Sequence, residues 1–144
     1  MTQIHATCVS LEGTGVLLVG PPGSGKSDLA LRLIDGGATL IADDRVEIER
    51  RANGLIASAP RRIVGLLEVR GIGIARLTAA AESAVALALE MSAPEKIERL
   101  PRTLTWECLG VELPLIKLDP FAASACAKVR LAVRNVTQDI IVEP

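Results

Sequence analysis

The stretch Thr14-Gly-Val-Leu-Leu-Val-Gly20-Pro-Pro-Gly-Ser-Gly-Lys26-Ser27-Asp28-Leu-Ala-Leu-Arg-Leu-Ile-Asp35 decides the fold. Its centre fits G-x-x-x-x-G-K-[ST] at Gly20, Gly25, Lys26 and Ser27, the pattern of a phosphate-binding P-loop. Val16 to Val19 is a short apolar run, which predicts a buried strand. After Gly25 the period becomes helical: Ala30, Leu33 and Ile34 share one face, and Asp28, Arg32 and Asp35 the opposite one. Gly36-Gly37 then stops the helix. Glycines let backbone N–H groups wrap a phosphate without Cβ clashes, and the helix N-terminus adds partial positive charge. The candidate nucleotide-binding residues are therefore Gly20, Pro21, Pro22, Gly23, Ser24, Gly25, Lys26 and Ser27. Lys26 is placed to reach the β- and γ-phosphates of a nucleotide, and Ser27 to bind Mg²⁺.

Composition narrows the classes. At 144 residues the simplest organisation is one domain over 1–144, large enough to bury a core. Half the chain is hydrophobic (49%), yet it holds one Phe, one Trp and no Tyr, so Leu, Ile, Val and Ala must fill the interior. With a net charge of −1 and so few aromatics, neither a basic field nor a stacking surface argues for nucleic acid. Cys8, Cys108 and Cys126 are far apart and lack metal or redox spacing, which suits free thiols in a reducing compartment. No signal pattern opens the chain and no apolar run reaches membrane-spanning length. The expectation is a cytoplasmic protein with no membrane partner. No repeat, linker or low-complexity tail is visible.

Upstream of the P-loop, residues 3–10 read as a strand with Ile4, Ala6 and Cys8 on one face and His5, Thr7 and Val9 on the other. Glu12-Gly-Thr-Gly15 predicts a hairpin joining it to the P-loop strand. Downstream, Gly37 to Glu49 holds an apolar strand ending in Asp43-Asp44, then an alternating strand with Val46 and Ile48 on one face. An aspartate at the end of such a strand commonly helps hold Mg²⁺ in P-loop proteins, and a carboxylate beside the metal suits general acid–base work. Neighbouring strand residues face opposite ways, so one of the pair points at the phosphate if the strand stays regular.

Further on, Asn53-Gly54 signals a second hairpin. Glu68 and Arg70 alternate with opposite charges, read either as a surface ion pair or as a metal ligand and a phosphate clamp. Residues 84–90 read as a strand. A proline-flanked loop covers 92–102, and two strands surround Gly110. Asp119-Pro120 reads as a helix start, with the final helix running from Phe121 to about Ile141.

His5, the P-loop, Leu40-Ile-Ala-Asp-Asp-Arg-Val-Glu-Ile48 and Glu68-Val-Arg-Gly-Ile-Gly-Ile74 occur in the order and approximate spacing of one family. Over residues 5–74 the chain resembles the C-terminal catalytic domain of HPr kinase/phosphorylase. The resemblance implies an α/β, P-loop-containing kinase-like domain with a mixed β-sheet and a C-terminal helix. It implies an ATP-dependent protein serine kinase acting on an HPr-like phosphocarrier of the phosphotransferase system, with reverse phosphorolysis yielding pyrophosphate. Carried over residue by residue, His5 and Lys26 match active-site positions. Asp44 matches the proton acceptor, with Asp43 beside it as a further catalytic or metal-binding candidate. Ser27 and Glu68 match Mg²⁺ ligands, and Arg70 opens the signature segment that reaches Arg76. A homo-oligomer, hexameric in the family, is also implied.

The family's usual chain carries an extra N-terminal domain, so the resemblance implies a short form. Where it places a catalytic Arg before Leu-Gly, this sequence has Cys108 before Leu109-Gly110, and Arg130 or Arg134 stands near a later basic motif. Two other readings fit a P-loop: a small-molecule kinase or ATPase, and a non-catalytic nucleotide-binding regulator.

Overall fold

The computed structural model describes residues 1–142. In chain order the strands are β1 (Thr2–Ile4), β2 (Thr7–Leu11) and β3 (Thr14–Val19), followed by helix α1 (Lys26–Asp35). Then come β4 (Thr39–Ala42), β5 (Val46–Arg51), β6 (Gly54–Ser58), β7 (Leu66–Val69), β8 (Gly73–Arg76), β9 (Ser83–Met91), β10 (Leu104–Cys108), β11 (Val111–Leu118) and α2 (Ala125–Gln138). Among the described residues nine strands join one mixed sheet, and β7 and β8 form a separate hairpin.

Hairpin chemistry sets most of the antiparallel pairing. β2 and β3 pair through a tight turn in which Glu12 and Gly13 both have positive φ. That is the twist a two-residue hairpin needs. Leu109-Gly110 does the same between β10 and β11. Parallel pairing forms around β9, whose one edge takes β3. Its other edge is divided between β6 near Val85 and β11 near Leu89.

Both faces of this sheet are buried. On one, α1 lays Leu29, Ala30 and Leu33, and α2 lays Val129, Ala132 and Val133, against Val9, Val16, Leu18, Leu87 and Leu89. On the other, Cys8, Leu17, Ile41, Ile48, Leu55, Ala88 and Leu113 pack strand against strand. The alternation predicted for residues 3–10 holds, with Ala6 and Cys8 in the second core and Val9 in the first. The single strand predicted there is broken at His5-Ala6: β1 leaves to pair with β5, while β2 pairs with β3 and β4.

The predicted final helix starts later than its sequence signal. The Asp119 carboxylate accepts a hydrogen bond from the Phe121 N–H at 3.0 Å, and the Asp119 carbonyl one from the Ala122 N–H at 3.3 Å. Asp119-Pro120 thus makes a turn, and α2 begins at Ala125. The helix ends at Gln138, where Asp139 adopts a left-handed φ of 50°.

Candidate active site

The in-register row Val19–Glu90–Lys117 marks the carboxyl ends of parallel strands β3, β9 and β11. Ligands of open α/β sheets bind beyond such ends. There the loop 20–25 leaves β3 and enters α1, with Gly23 and Gly25 at φ 79° and 104°. α1 has no side-chain cap, so its first amides have no intrahelical partner and are available to an anion. The Ser24 hydroxyl is buried without a hydrogen-bond partner. Lys26 Nζ donates to the carbonyls of Gly20 (2.7 Å) and Pro21 (2.9 Å), so its ammonium is already folded over the loop mouth.

The carboxylate at this mouth is that of Asp43. Ser27 Oγ donates to Asp43 Oδ1 at 2.7 Å, Thr7 Oγ1 donates to the same oxygen at 2.9 Å, and the Glu68 backbone N–H reaches Oδ2 at 3.4 Å. Asp43 is nearly buried, at 6% exposure, and Thr7 is wholly so. Three segments, β2, the P-loop helix and β7, therefore converge on a side chain carried at the end of β4.

Asp44 is arranged differently. β4 ends at Ala42, so the strand is not regular through the aspartate pair. The Arg45 N–H donates to the Asp43 carbonyl at 2.8 Å, closing a three-residue turn about Asp44, whose φ is 69°. A non-glycine residue at the centre of such a turn is strained. The turn leaves Asp44 exposed while its neighbour is buried.

His5 is exposed in the bend between β1 and β2, two residues ahead of Thr7. Glu68 is exposed on β7, its backbone tied to Asp43. Arg70 lies past the end of β7, in the turn to β8, and forms no ion pair with Glu68. The expected alternation of Glu68 and Arg70 along one strand is therefore corrected: the chain leaves the strand before Arg70. None of His5, Asp44 and Arg70 hydrogen-bonds to the Lys26–Ser27–Asp43 cluster among the described residues.

The later basic candidates lie elsewhere. Arg130 and Arg134 line a cavity of about 400 Å³ with Gly36, Gly37 and Leu11, at the end of α1 remote from Lys26. A cation there complements the negative end of the helix. Cys108 pairs with Val111, the first residue of β11. Seven residues of extended strand, about 23 Å, separate Val111 from Leu118 near the P-loop. Cys108 therefore has no place in the P-loop site of its own chain.

Thr7 was not singled out by the sequence. The signal was present: it shares its strand face with Val9, so the alternation directs a hydroxyl inward.

Hard oxygen donors fit Mg²⁺, which takes one or two carboxylates and fills its other positions with water and substrate phosphate. Ser27 and Asp43 bring two such oxygens together, while Glu68 joins this contact only through its backbone N–H; among the described residues no three His, Cys, Asp or Glu side chains form a cluster that could hold a metal. Among the same residues no helix is long and apolar enough to cross a membrane. All three cysteines are free.

A strand, a glycine loop and a helix, with the helix serine bound to an aspartate just past β4 of the same sheet, define a P-loop α/β domain of kinase-like fold. The chain belongs to the family described as HPr Serine kinase C-terminal domain, whose model matches residues 1–139. It is 37% identical over 147 aligned positions to the HPr kinase/phosphorylase of Bordetella pertussis, covering 93% of this chain and 48% of that protein. A Clostridium botulinum HPr kinase/phosphorylase is 47% identical over 77 positions, 54% of this chain and 25% of its own. The solved structure of the Hpr(Ser) kinase/phosphatase from Coxiella burnetii superposes with a TM-score of 0.83 at 30% identity, covering 94% of this chain and 95% of that one. The chain spans about half the length of the Bordetella protein. The expected fold, a mixed sheet with a P-loop and a C-terminal helix, stands.

Proposed function

We propose that this chain transfers the γ-phosphoryl group of ATP to a serine of an HPr-like phosphocarrier, and returns that group to inorganic phosphate in reverse. The observation that carries this reading is the convergence of Lys26, Ser27 and Asp43 at the P-loop mouth of a chain in this family. Bound Mg²⁺ would supply charge neutralisation across the phosphates, held by Ser27 and Asp43 with Glu68 beside them.

The chain's own residues do the rest. Lys26 exchanges two neutral carbonyls for a phosphate oxygen. Loop amides hold the triphosphate in place, which is most of what phosphoryl transfer requires. Asp44, free of the buried network, takes the serine proton as the serine oxygen attacks the γ-phosphorus and the bond to the ADP oxygen breaks. In reverse, inorganic phosphate attacks the phosphoserine phosphorus, pyrophosphate forms, and Asp44 returns the proton to the departing serine oxygen. His5 and Arg70 belong to the same proposal as groups meeting the incoming acceptor.

The β7–β8 hairpin favours a protein acceptor over a small one. It carries Ile72 and Ile74 into solvent at 85% and 72% exposure, between exposed Arg70 and Arg76 and one turn from Glu68. Apolar side chains held out beside a reaction centre suit a macromolecular surface. Cytoplasmic location and a homo-oligomer, hexameric by family resemblance, complete the reading.

The test is acceptor partition. Labelled Mg-ATP is incubated with the protein, an HPr-like phosphocarrier and small hydroxyl acceptors. Label on one serine of the phosphocarrier supports the proposal. Label only in small acceptors or water supports a small-molecule kinase or ATPase, and binding without transfer supports a regulator.

A further inference from the structure

The chain has a single phenylalanine, Phe121, and its side chain is 71% exposed. An aromatic ring left in water gives up the burial that normally stabilises it. The backbone that carries this ring is nevertheless held in position. The Asp119 carboxylate fixes the Phe121 N–H at 3.0 Å, Pro120 is buried, and the Arg32 guanidinium of α1 donates to the Pro120 carbonyl. The turn is thus tied to the helix that the P-loop opens.

The ring lies against the loop itself. A Cβ placed on Gly25 would meet Phe121 Cζ at 3.1 Å and Cε1 at 3.2 Å, with Pro120 Cγ at 2.9 Å. Gly25 is the last loop residue before Lys26, and its lack of a side chain admits the ring as well as its φ of 104°. The strand row Val19–Glu90–Lys117 sets the segment after β11 beside the P-loop on the sheet's carboxyl edge. A triphosphate wrapped by residues 20–27 must lead its nucleoside out of this loop, and Phe121 forms an apolar wall there.

We propose that the Phe121 ring is the surface on which the purine of the bound nucleoside triphosphate stacks. This rests on the nucleotide-binding reading above and deepens it. Stacking uses the π-face common to all bases, so the contact raises affinity for nucleoside triphosphates with little preference between adenine and guanine.

The experiment compares calorimetric titrations of Mg-ATP, Mg-GTP and Mg-tripolyphosphate into wild-type protein, Phe121→Ala, Phe121→Leu and Phe121→Trp. Because the ring is exposed, these variants keep the fold. The expected result for Phe121→Ala is a roughly 10- to 100-fold loss for both nucleotides. Tripolyphosphate, which has no base, changes by less than about two-fold. Leu recovers little of the loss, whereas Trp restores or exceeds wild-type affinity. A parallel loss of nucleotides and tripolyphosphate would show that the ring only shapes the loop and would overturn the proposal, as would unchanged nucleotide binding in Phe121→Ala. Wild-type protein that binds tripolyphosphate but no nucleotide would refute the stacking contact and leave the phosphate loop standing. Binding of neither would sink both.

Discussion

Ser27 Oγ donates a 2.7 Å hydrogen bond to Asp43 Oδ1, while Asp44, the next residue, is turned into solvent by a strained three-residue turn. Two adjacent carboxylates are thereby given different surroundings. Asp43 is committed to three donors and holds the P-loop serine, β2 and β7 together. The Asp44 carboxylate is exposed and takes no part in the contacts of Asp43 among the described residues, which is what the proposed role as base requires. The strain is local, and its cost is of the order of 1–3 kcal/mol.

Replacing Asp44 by glycine relieves that strain and removes the proposed base. Asp44→Gly is expected to match or exceed wild-type stability in denaturant melts while transfer falls by roughly 10²- to 10⁴-fold. A clear loss of stability would mean the turn is not strained, and retained transfer would remove Asp44 from the chemistry.

Thr7 is the hidden support of the site. Thr7→Val keeps the side-chain shape but leaves Asp43 one donor short inside the protein. The expected cost is about 1–3 kcal/mol. Mg²⁺-dependent nucleotide binding weakens with it, read by thermal melts with and without Mg-ATP. No change in either would reduce Thr7 to filler.

Much of this was legible in the chain. The strand, loop and helix of residues 14–35 follow from the P-loop glycines and the change of period, and the hairpins from their turn residues. The Asp43-Asp44 pair was visible, but the division between them was not. It depends on where β4 stops and on a backbone turn that no local preference announces. The start of α2 was misplaced because Asp119-Pro120 is equally good turn chemistry, and the contact of Arg32 with Pro120 is long-range. Cys108 stands before Leu109-Gly110 where the family resemblance implies an arginine, yet sheet pairing carries that turn to the opposite end of β11.

That placement has a consequence for Cys108→Arg. An arginine there is expected to leave phosphorolysis within about two-fold of wild type. A large rise, measured as pyrophosphate released from the phosphorylated carrier, would mean that this turn reaches a reaction centre after all.

Cys8 provides a pH signature of the core. Burial pushes its thiol up to about 12 from an ordinary value of 9.0, against a smaller lowering by a hydrogen bond from the Val16 backbone. The folded form keeps its proton where the unfolded chain has lost it. This stabilisation is therefore intact below pH 9 and is lost as pH climbs from 9 toward about 12. Wild-type stability should fall through that window more steeply than that of Cys8→Ala. Identical slopes would contradict the buried, protonated thiol.

Lys26→Ala is expected to abolish phosphorylation and phosphorolysis together, because the proposed reactions both place phosphate groups in the same loop. Loss in one direction alone would show that the two reactions do not share it.

The division between the aspartates is tested most directly by single-turnover phosphoryl transfer to the carrier serine in Asp43→Asn and Asp44→Asn, with Mg-ATP affinity measured on the same samples. Asp44→Asn should bind Mg-ATP as the wild type does and transfer at least about 100-fold more slowly. Asp43→Asn should lose Mg-ATP affinity and fold stability together. Undiminished transfer in Asp44→Asn, with Asp43→Asn binding Mg-ATP normally yet inactive, would reverse the assignment.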